Sequence, residues 1–206
     1  MILVIETVQA ACSVALIDEQ RIIDQRHEIV GRGHAEALVP MIAELLEGRI
    51  PHAILADCGP GSFTGVRVGL AAARALALAW DIPASGYSSM ALLAASVFAE
   101  AETQEPLTVA LAGGHGELFV QRFAPSPFAS LTELQSLTPE HAAGTLPADR
   151  LIVGSGAAML AEARGSGEVD LRWPRAADAR LLPIEWRGLP MRPIYGRAPD
   201  ARPAAS

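Results

Sequence analysis

A glycine-rich segment, residues 59–65, holds the residue types most capable of chemistry: Gly59, Pro60, Gly61, Ser62, Phe63, Thr64 and Gly65. It follows an apolar run at residues 53–56 and precedes an alanine-rich run at residues 70–80, which predicts a strand, a tight loop and a helix start. Ser62 or Thr64 can cap such a helix, and its free N–H groups can bind an anion. Three interpretations stay open: a plain strand-to-helix turn, a site for an anion or nucleotide, and a contact with another protein.

The remaining reactive residue types restrict the chemistry further. All 16 basic residues are arginine, which excludes a Walker A motif, Ser-x-x-Lys acylation and Schiff-base chemistry, because each requires a lysine. Ser62 lacks the Gly-x-Ser-x-Gly spacing of a nucleophile elbow. The five histidines are scattered, and His34 is followed four residues later by Leu38 rather than by a second histidine. We therefore expect no catalytic metal, and His34 is interpreted as a helix-start residue that caps the helix or contacts a partner.

Composition bounds the class of protein. The 206 residues allow one large domain or two small lobes, and the mean hydropathy is +0.27. No apolar run is expected to approach the roughly 20 residues of a membrane span, and no signal peptide is visible, so we expect no membrane association. Cys12 and Cys58 are interpreted as reduced core thiols. A net charge of −7 argues against independent binding to nucleic acid.

Apolar runs and turn residues predict the order of elements. Strands are expected near residues 2–5, 12–17, 21–29, 83–87, 107–112, 117–123 and 151–154, and helices near residues 34–48, 64–80, 89–100 and 157–164, with a helical stretch inside 176–186. The chain thus opens with three antiparallel strands, and a similar strand–turn–strand pattern returns about a hundred residues later. A polar stretch at residues 101–106 lies between the two repeats.

The first two helices carry more apolar residues than one amphipathic stripe requires. In the first helix, Ala35, Val39, Ile42 and Leu46 form one row at helical spacing, and Leu38, Met41 and Leu45 form another. The second helix is apolar almost all round, with Arg67, Arg74 and Asp81 as its charges. One row can cover the sheet, so the surplus is covered either by the second half of the chain or by another protein.

Several motifs together resemble the TsaB (YeaZ) family. Residues 59–77, GPGSFTGVRVGLAAARALA, are similar to that family's signature segment, GPGSFTGLRIGLATAKGLA. Residues 2–16 are similar to its ILAIDTS…ACSVAL opening, residues 32–38 to its first helix entry, residues 82–89 to its next strand and helix start, and residues 193–197 to its P-x-Y-x-R motif. The resemblance is strong over the first ninety or so residues and weak from about residue 124 to 192.

The resemblance implies an α/β fold with a duplicated ribonuclease-H-like architecture, the ASKHA fold of actin, Hsp70 and sugar kinases. It places an N-terminal lobe with the partner-binding helix pair at residues 1–103, a smaller, reduced C-terminal lobe at 104–197 and a disordered tail at 198–206. This chain departs from the family's pattern in two places. Ala112, Gly113 and Gly114 stand where the family frequently has Asp-Ala-Arg, and Gly196 stands where the family usually has a bulky residue.

Family membership would also imply a function. The chain would be a cytoplasmic, non-catalytic subunit that pairs with TsaD and acts with the ATPase TsaE in forming threonylcarbamoyladenosine beside the anticodon of tRNA. ATP, metal and threonylcarbamoyl-AMP are expected on the partner subunits, tRNA only through the complex, and a homodimer when TsaD is absent. The expected contact residues are Leu38, Met41 and Leu45 on the first helix and Val66, Leu70 and Arg74 on the second, with Arg74 facing an acid of the partner.

Different classes of function remain as alternatives. An independent actin-fold ATPase or kinase would use the loop from Gly59 to Gly65. Actin-like enzymes place Asp-x-Gly-Thr-Thr at the first turn, whereas this chain has Glu6, Thr7, Val8 and Gln9, which argues against that alternative. A peptidase of the M22-like type and a self-associating module are the other two.

Overall fold

The computed structural model describes residues 1–101 and 103–196 and shows two β-sheets with helices between and outside them. The first sheet contains β1 (Ile2–Glu6), β2 (Ala11–Asp18), β3 (Arg21–Ile29), β4 (Ala53–Asp57) and β5 (Ala84–Tyr87), in the order β3-β2-β1-β4-β5. β1, β2 and β3 pair antiparallel, and β4 and β5 extend the sheet in parallel with β1. The three predicted opening strands are confirmed.

Both faces of the inner strands β1, β2 and β4 are buried because helices cover each side, whereas the edge strand β3 is largely exposed. The first helices are α1 (His34–Leu46), α2 (Phe63–Trp80) and α3 (Ser89–Ala101). Leu3 and Ile5 of β1 join the core under α1 and α2, whereas Val4 joins the core with α3 on the opposite face. This alternation follows from the two-residue period of a strand, and it explains why β1 is a continuous apolar run.

The second sheet repeats the opening hairpin in reduced form. Its strands are β6 (Leu107–Ala112), β7 (Leu118–Pro125), β8 (Phe128–Ser130), β9 (Gln135–Leu137), β10 (Leu151–Val153) and β11 (Glu168–Asp170). The order is β11-β10-β6-β7-β8, with β9 also paired to β7. Two outer helices, α4 (Pro139–Thr145) and α5 (Ala157–Arg164), complete this lobe, and 3-10 helices occur at Gly114–Gly116, Ala176–Leu181 and Ile184–Trp186.

Three cores separate the layers. The central core lies between the two sheets and combines α3 with β6, β7 and residues of the 3-10 helix at Ala176–Leu181. The first outer core lies under α1 and α2, and the second outer core lies under α4 and α5. Cys12 and Cys58 are buried and unpaired, and burial raises the thiol pKa of Cys12 to about 11 and that of Cys58 to about 12. Both thiols are therefore protonated, inert parts of the core, as predicted.

The chain returns to the first lobe through residues 187–196, which we call the C-terminal strap. Leu189 and Gly86 of β5 exchange backbone hydrogen bonds of 2.9 and 2.7 Å. The N–H of Ile194 donates to the carbonyl of Cys58 at 2.7 Å, and Ser85 Oγ donates to the carbonyl of Arg187 at 2.7 Å. The strap thus belongs spatially to the first sheet, although the division at residues 103 and 197 itself stays a prediction.

The sequence predicted the helices of the first lobe closely and missed short elements of the second. α2 begins one residue before its predicted start, and α5 has the predicted bounds. β8, β9, β11 and α4 were not predicted. The predicted tail, residues 198–206, lies outside the described residues.

By length and mean hydropathy alone, α2 could cross a membrane: it has 18 residues and a mean hydropathy of 1.2. Its place in the fold accounts for this composition differently. Val66, Leu70 and Ala73 pack into the core against the first sheet, and the opposite side of the helix is exposed. The sequence analysis expected no run of membrane-spanning length, whereas α2 is long and apolar enough to meet that criterion.

Candidate functional site

The glycine-rich loop is a strand-to-helix turn that Ser62 caps. β4 ends at Asp57, and α2 begins at Phe63. Ser62 Oγ accepts a hydrogen bond from the N–H of Gly65 at 3.2 Å, which satisfies one of the free donors of the helix start. Gly59 has a φ of +104°, a region that side chains rarely adopt. Of the two residues predicted to cap this helix, Ser62 is the one that does.

The loop glycines allow close contact with the chain's own first turn. A Cβ at Gly65 would lie 2.0 Å from the carbonyl oxygen of Thr7, and a Cβ at Gly69 would lie 2.4 Å from Thr7 Oγ1. Thr7 Oγ1 donates to the carbonyl of Gly65 at 2.8 Å, and the N–H of Ser62 donates to the carbonyl of Val8 at 2.8 Å. These glycines therefore serve packing of α2 on the hairpin turn between β1 and β2, which favours the turn interpretation over a phosphate cradle.

The acid at the end of β1 is turned into the protein. Glu6 is fully buried, and its carboxyl accepts hydrogen bonds from the N–H of Val8 at 2.8 Å and from Tyr87 Oη at 3.2 Å. It also shares a hydrogen bond with the carboxyl of Asp57. Burial, followed by the nearby charge of Asp57, raises the pKa of Glu6 well above its usual range.

Asp57 stands beside Glu6 because β1 and β4 are parallel neighbours, with Ile5 opposite Ala56. Asp57 Oδ1 accepts from the N–H of Gly59 at 2.7 Å and from the N–H of Ser89 at 3.1 Å, and Oδ2 accepts from Ser89 Oγ at 2.5 Å. Burial raises the pKa of Asp57, and these donors oppose the rise. The many donors to Asp57 favour its charge, so Glu6 is the member of this acid pair that holds a proton. The sequence analysis did not predict this pair.

A cavity of about 820 Å³ lies between the two lobes. The turn after β1, the start of α2, the turn between β6 and β7, and the end of the strap line it; its residues include Val8, Gln9, Phe63, Arg67, His115 and Phe119. Ser155 links two of the lining residues, Gln9 and Ala112. Its Oγ donates to Gln9 Oε1 at 3.1 Å and accepts from the N–H of Ala112 at 3.0 Å. This ties the two hairpins together.

Arg67 contacts two aromatic side chains that line the cavity with it. Its guanidinium lies 3.6 Å from the centroid of the Phe63 ring, and its Nη2 donates to Tyr195 Oη at 3.3 Å. The ring centroids of Phe63 and Tyr195 are 5.9 Å apart. A Cβ at Gly196 would lie 2.4 Å from the ring of Phe119, so the strap can approach β7 this closely because glycine stands there.

Five of the six predicted partner contacts belong to the core. The exposed fractions are 1% for Leu38, 8% for Met41, 0% for Leu45, 3% for Val66 and 1% for Leu70. All five pack with β1, β2 and β4. Side chains so completely covered by their own chain cannot form a contact surface, so this part of the prediction is wrong.

Arg74 and His34 also have partners inside the chain. Arg74 is exposed, and its Nη2 donates to the carbonyl of Met191 in the strap. The side chain of His34 is buried, with Nε2 3.2 Å from the carbonyl of Ala11. His34 therefore neither caps α1, whose N-cap is Gly33, nor faces a partner. An acid of a partner opposite Arg74 stays a prediction.

The exposed apolar surface lies on the other sides of the same two helices. Leu78 of α2 is 86% exposed and Val39 of α1 is 63% exposed. Ala71, Ala75 and Ala79 are exposed with Leu78 on α2. Ala35 and Val39 are the exposed members of the first row, whereas Ile42 and Leu46 of that row are buried together with the whole second row. The helix pair therefore does carry surplus apolar surface, but not on the row from which the contacts were predicted. We call Val39, Ala71, Ala75, Leu78 and Ala79 the helix-pair face.

Within residues 1–101 and 103–196, no three His, Cys, Asp or Glu side chains are grouped as a metal would require. His115 lies alone at the tip of the 3-10 turn with a φ of +61°, and His27 is on β3. The absence of a cofactor stays an expectation.

Comparison with known proteins places these features in a family. Residues 20–126 match the family model described as TsaD, tRNA N6-adenosine threonylcarbamoyltransferase. The chain is 36% identical to the tRNA threonylcarbamoyladenosine biosynthesis protein TsaB of Escherichia coli (strain K12) over 45% of this chain and 42% of that protein. It is 30% identical to the protein of the same name from Haemophilus influenzae, over 78% of this chain and 74% of that protein.

A solved structure supports the fold over nearly the whole chain. YeaZ from Pseudomonas aeruginosa superposes with a TM-score of 0.78 at 27% identity, and the match covers 94% of this chain and 98% of that one. The E. coli match, by contrast, spans less than half of that relative's length. The predicted α/β class with two ribonuclease-H-like lobes is confirmed.

Proposed function

Since the chain belongs to the TsaB (YeaZ) family, we propose that it takes part in tRNA threonylcarbamoyladenosine biosynthesis as an accessory subunit without a catalytic centre of its own. Its relatives carry that process in their names. We expect it in the cytoplasm, where tRNA is modified. In this proposal ATP, metal and threonylcarbamoyl-AMP bind to the partner subunits.

The first turn supports an accessory role over an actin-fold ATPase. Glu6 is buried in a pair with Asp57, and Val8 presents its carbonyl to the glycine loop. A carboxylate that serves a nucleotide-bound metal must reach the solvent-filled cleft, whereas this carboxyl is held inside by Tyr87 and the N–H of Val8. The groups that an ATPase would use at this turn are engaged in holding the fold together.

The helix-pair face carries the proposal. Leu78, at 86% exposed, shares one side of α2 with the small exposed residues Ala71 and Ala75, which leave room for a second helix, and Val39 is exposed on α1. Burying apolar area at about 25 cal/mol per Å² would drive association. We propose that TsaD covers this face, that TsaE acts with the pair, and that the subunit favours the active arrangement of TsaD by binding it better than others.

In the absence of TsaD, the same face would pair with a second copy across a two-fold axis. A net charge of −7 makes this chain a poor independent ligand for RNA, so tRNA would be reached through the complex. A homodimer and a heterodimer that use one face exclude each other.

The experiment replaces Leu78 or Ala75 by Glu and measures binding to purified TsaD by calorimetry and gel filtration. A buried unpaired carboxylate at the interface should weaken binding by at least about a hundredfold. Ile184→Glu is the matched control, because Ile184 is 77% exposed on a 3-10 helix far along the chain. Wild-type binding by Leu78→Glu with an intact fold would contradict the proposed face.

A further inference from the structure

The cavity between the lobes is separate from the helix-pair face. Phe63 and Arg67 stand at the start of α2, whereas Leu78 lies fifteen residues after Phe63, about 22 Å along the helix axis. The volume of about 820 Å³ falls within the range of sites for small molecules, roughly 300–1,000 Å³. None of the residues of the helix-pair face lines the cavity, although Ala71 follows Arg67 by only one helical turn.

The charged groups of the lining favour an anion. Among the ion pairs of the described residues, none includes Arg67, whose side chain contacts the Phe63 ring and the hydroxyl of Tyr195. Glu117 also lines the cavity, but its Oε2 accepts from Ser136 Oγ at 2.6 Å on the second lobe. A guanidinium bound only to neutral groups gains most from a ligand carboxylate, phosphate or sulfonate.

The rest of the lining favours a compact apolar body. Val8, Val66, Phe119 and Ile194 supply aliphatic and aromatic walls, and Phe63 and Tyr195 stand at the mouth. Such walls bury a ring-sized group, and aromatic faces pack well against it. A triphosphate would not fit this chemistry, since Gly61 and Gly65 approach Val8 and Thr7 instead of leaving their backbone for phosphates.

We propose that the cavity between the lobes binds a small organic anion with a ring-sized apolar body, and that Arg67 holds its charged group. The site is independent of the proposed role in tRNA modification, because none of the residues of the helix-pair face lines it. Failure of either proposal leaves the other standing.

The test uses 8-anilinonaphthalene-1-sulfonate, an anion with aromatic rings, in fluorescence titrations of the full chain. Gly114 lines the cavity, and a Cβ there would meet nothing within 4 Å, so Gly114→Phe should fill the cavity without disturbing the fold. Gly144 is equally open but lies in α4, outside the cavity, so Gly144→Phe is the matched control. We expect saturable binding to the wild type and to Gly144→Phe, and at least about tenfold weaker binding to Gly114→Phe.

Arg67→Gln should weaken binding by about tenfold, because it removes the charge-assisted contact. Arg21→Gln removes an exposed guanidinium of β3 that does not line the cavity, and this control should bind like the wild type. Displacement of the dye by phenyl phosphate or by benzoate then distinguishes a phosphate ester from a carboxylate as the preferred charged group.

Three results would overturn the proposal. The first is unchanged binding in Gly114→Phe or Arg67→Gln, with folding verified by thermal melting. The second is loss of binding in Leu78→Glu, which would assign the dye to the helix-pair face. The third is equal weakening by Arg21→Gln and Arg67→Gln, or displacement by neither competitor.

Discussion

The two sides of α2 are similar in amino-acid type and opposite in environment. On one side, Gly65, Val66, Gly69, Leu70 and Ala73 are buried against the first sheet. On the other, Ala71, Ala75 and Leu78 are exposed. Both sides are made of small and aliphatic residues, so composition alone cannot distinguish a core side from a contact side. What distinguishes them is close backbone approach, which requires the glycines on the buried side.

The largest expected effect separates the two sides directly. Leu70→Ala should lower the free energy of unfolding by about 2–5 kcal/mol, because it leaves a cavity in the core under α2. Leu78→Ala should change it by less than about 0.5 kcal/mol, since Leu78 is 86% exposed. Urea unfolding of both variants measures the difference. Similar losses in the two would abolish the distinction between core side and contact side.

Gly65→Ala tests whether close approach explains the glycines. The added Cβ would lie 2.0 Å from the carbonyl oxygen of Thr7, and that backbone atom has little room to move. We expect a loss of about 1–3 kcal/mol from overpacking. Ala71→Gly, on the exposed side, should cost only about 0.5–1 kcal/mol through helix propensity. Thermal melting compares them, and a neutral Gly65→Ala would show that the loop can move away from the first turn.

The acid pair beneath the start of α2 predicts a pH dependence. The unfolded chain releases the proton of Glu6 near the ordinary carboxyl range, whereas the folded protein, in which burial and the charge of Asp57 raise the pKa of Glu6, retains it to higher pH. The free energy of unfolding should therefore fall as pH rises above the ordinary range, by at most about 1.4 kcal/mol per pH unit for one retained proton.

Glu6→Gln places a neutral side chain of the same shape in the pair and should flatten this decline. Urea unfolding at about pH 5 and about pH 8 would show it. Glu133→Gln is the control, since it makes the same substitution at an exposed side chain. A decline of the same slope in Glu6→Gln would assign the pH dependence to other groups.

The smallest effect concerns Arg74, which joins α2 to the strap. Arg74→Ala removes an exposed hydrogen bond to the carbonyl of Met191 and should cost no more than about 1 kcal/mol. If Arg74 also meets an acid of TsaD, the variant should bind TsaD more weakly, and the weakening should diminish in high salt. If Arg74→Ala binds TsaD as tightly as the wild type does at every salt concentration, Arg74 contacts only the strap.

The sequence predicted the first lobe well because its strands and helices have long apolar patterns and because glycines mark the boundaries between them. β1 and β4 are unbroken apolar runs, and glycines mark the connector before α1 and the loop before α2. The second lobe contains strands of three residues, β8, β9, β10 and β11, of which only β10 has an apolar run. Three residues are too few to show a period. α4 had a signal that was overlooked: Thr138 caps it, and Pro139 occupies its first turn.

The site was harder to predict because its residues meet through sheet register. Glu6 and Asp57 each follow an apolar run, and the ends of neighbouring parallel strands lie side by side, so their proximity could have been inferred. The exposure of Val39 could not. Both rows of α1 are apolar, and the structure buries the whole second row together with Ile42 and Leu46 of the first. Val39 and Leu38 are neighbours in sequence with opposite exposure.

The pairing of Gly86 with Leu189 has a consequence for synthesis of the chain. β5 is an edge strand of the first sheet, and its backbone groups are matched by residues made about a hundred positions later. While the ribosome is still adding the second lobe, that edge stays open for pairing with any extended peptide nearby. The nascent first lobe should therefore depend on chaperones until Leu189 emerges, and ribosome-bound intermediates halted before that point should aggregate more readily than those halted after it.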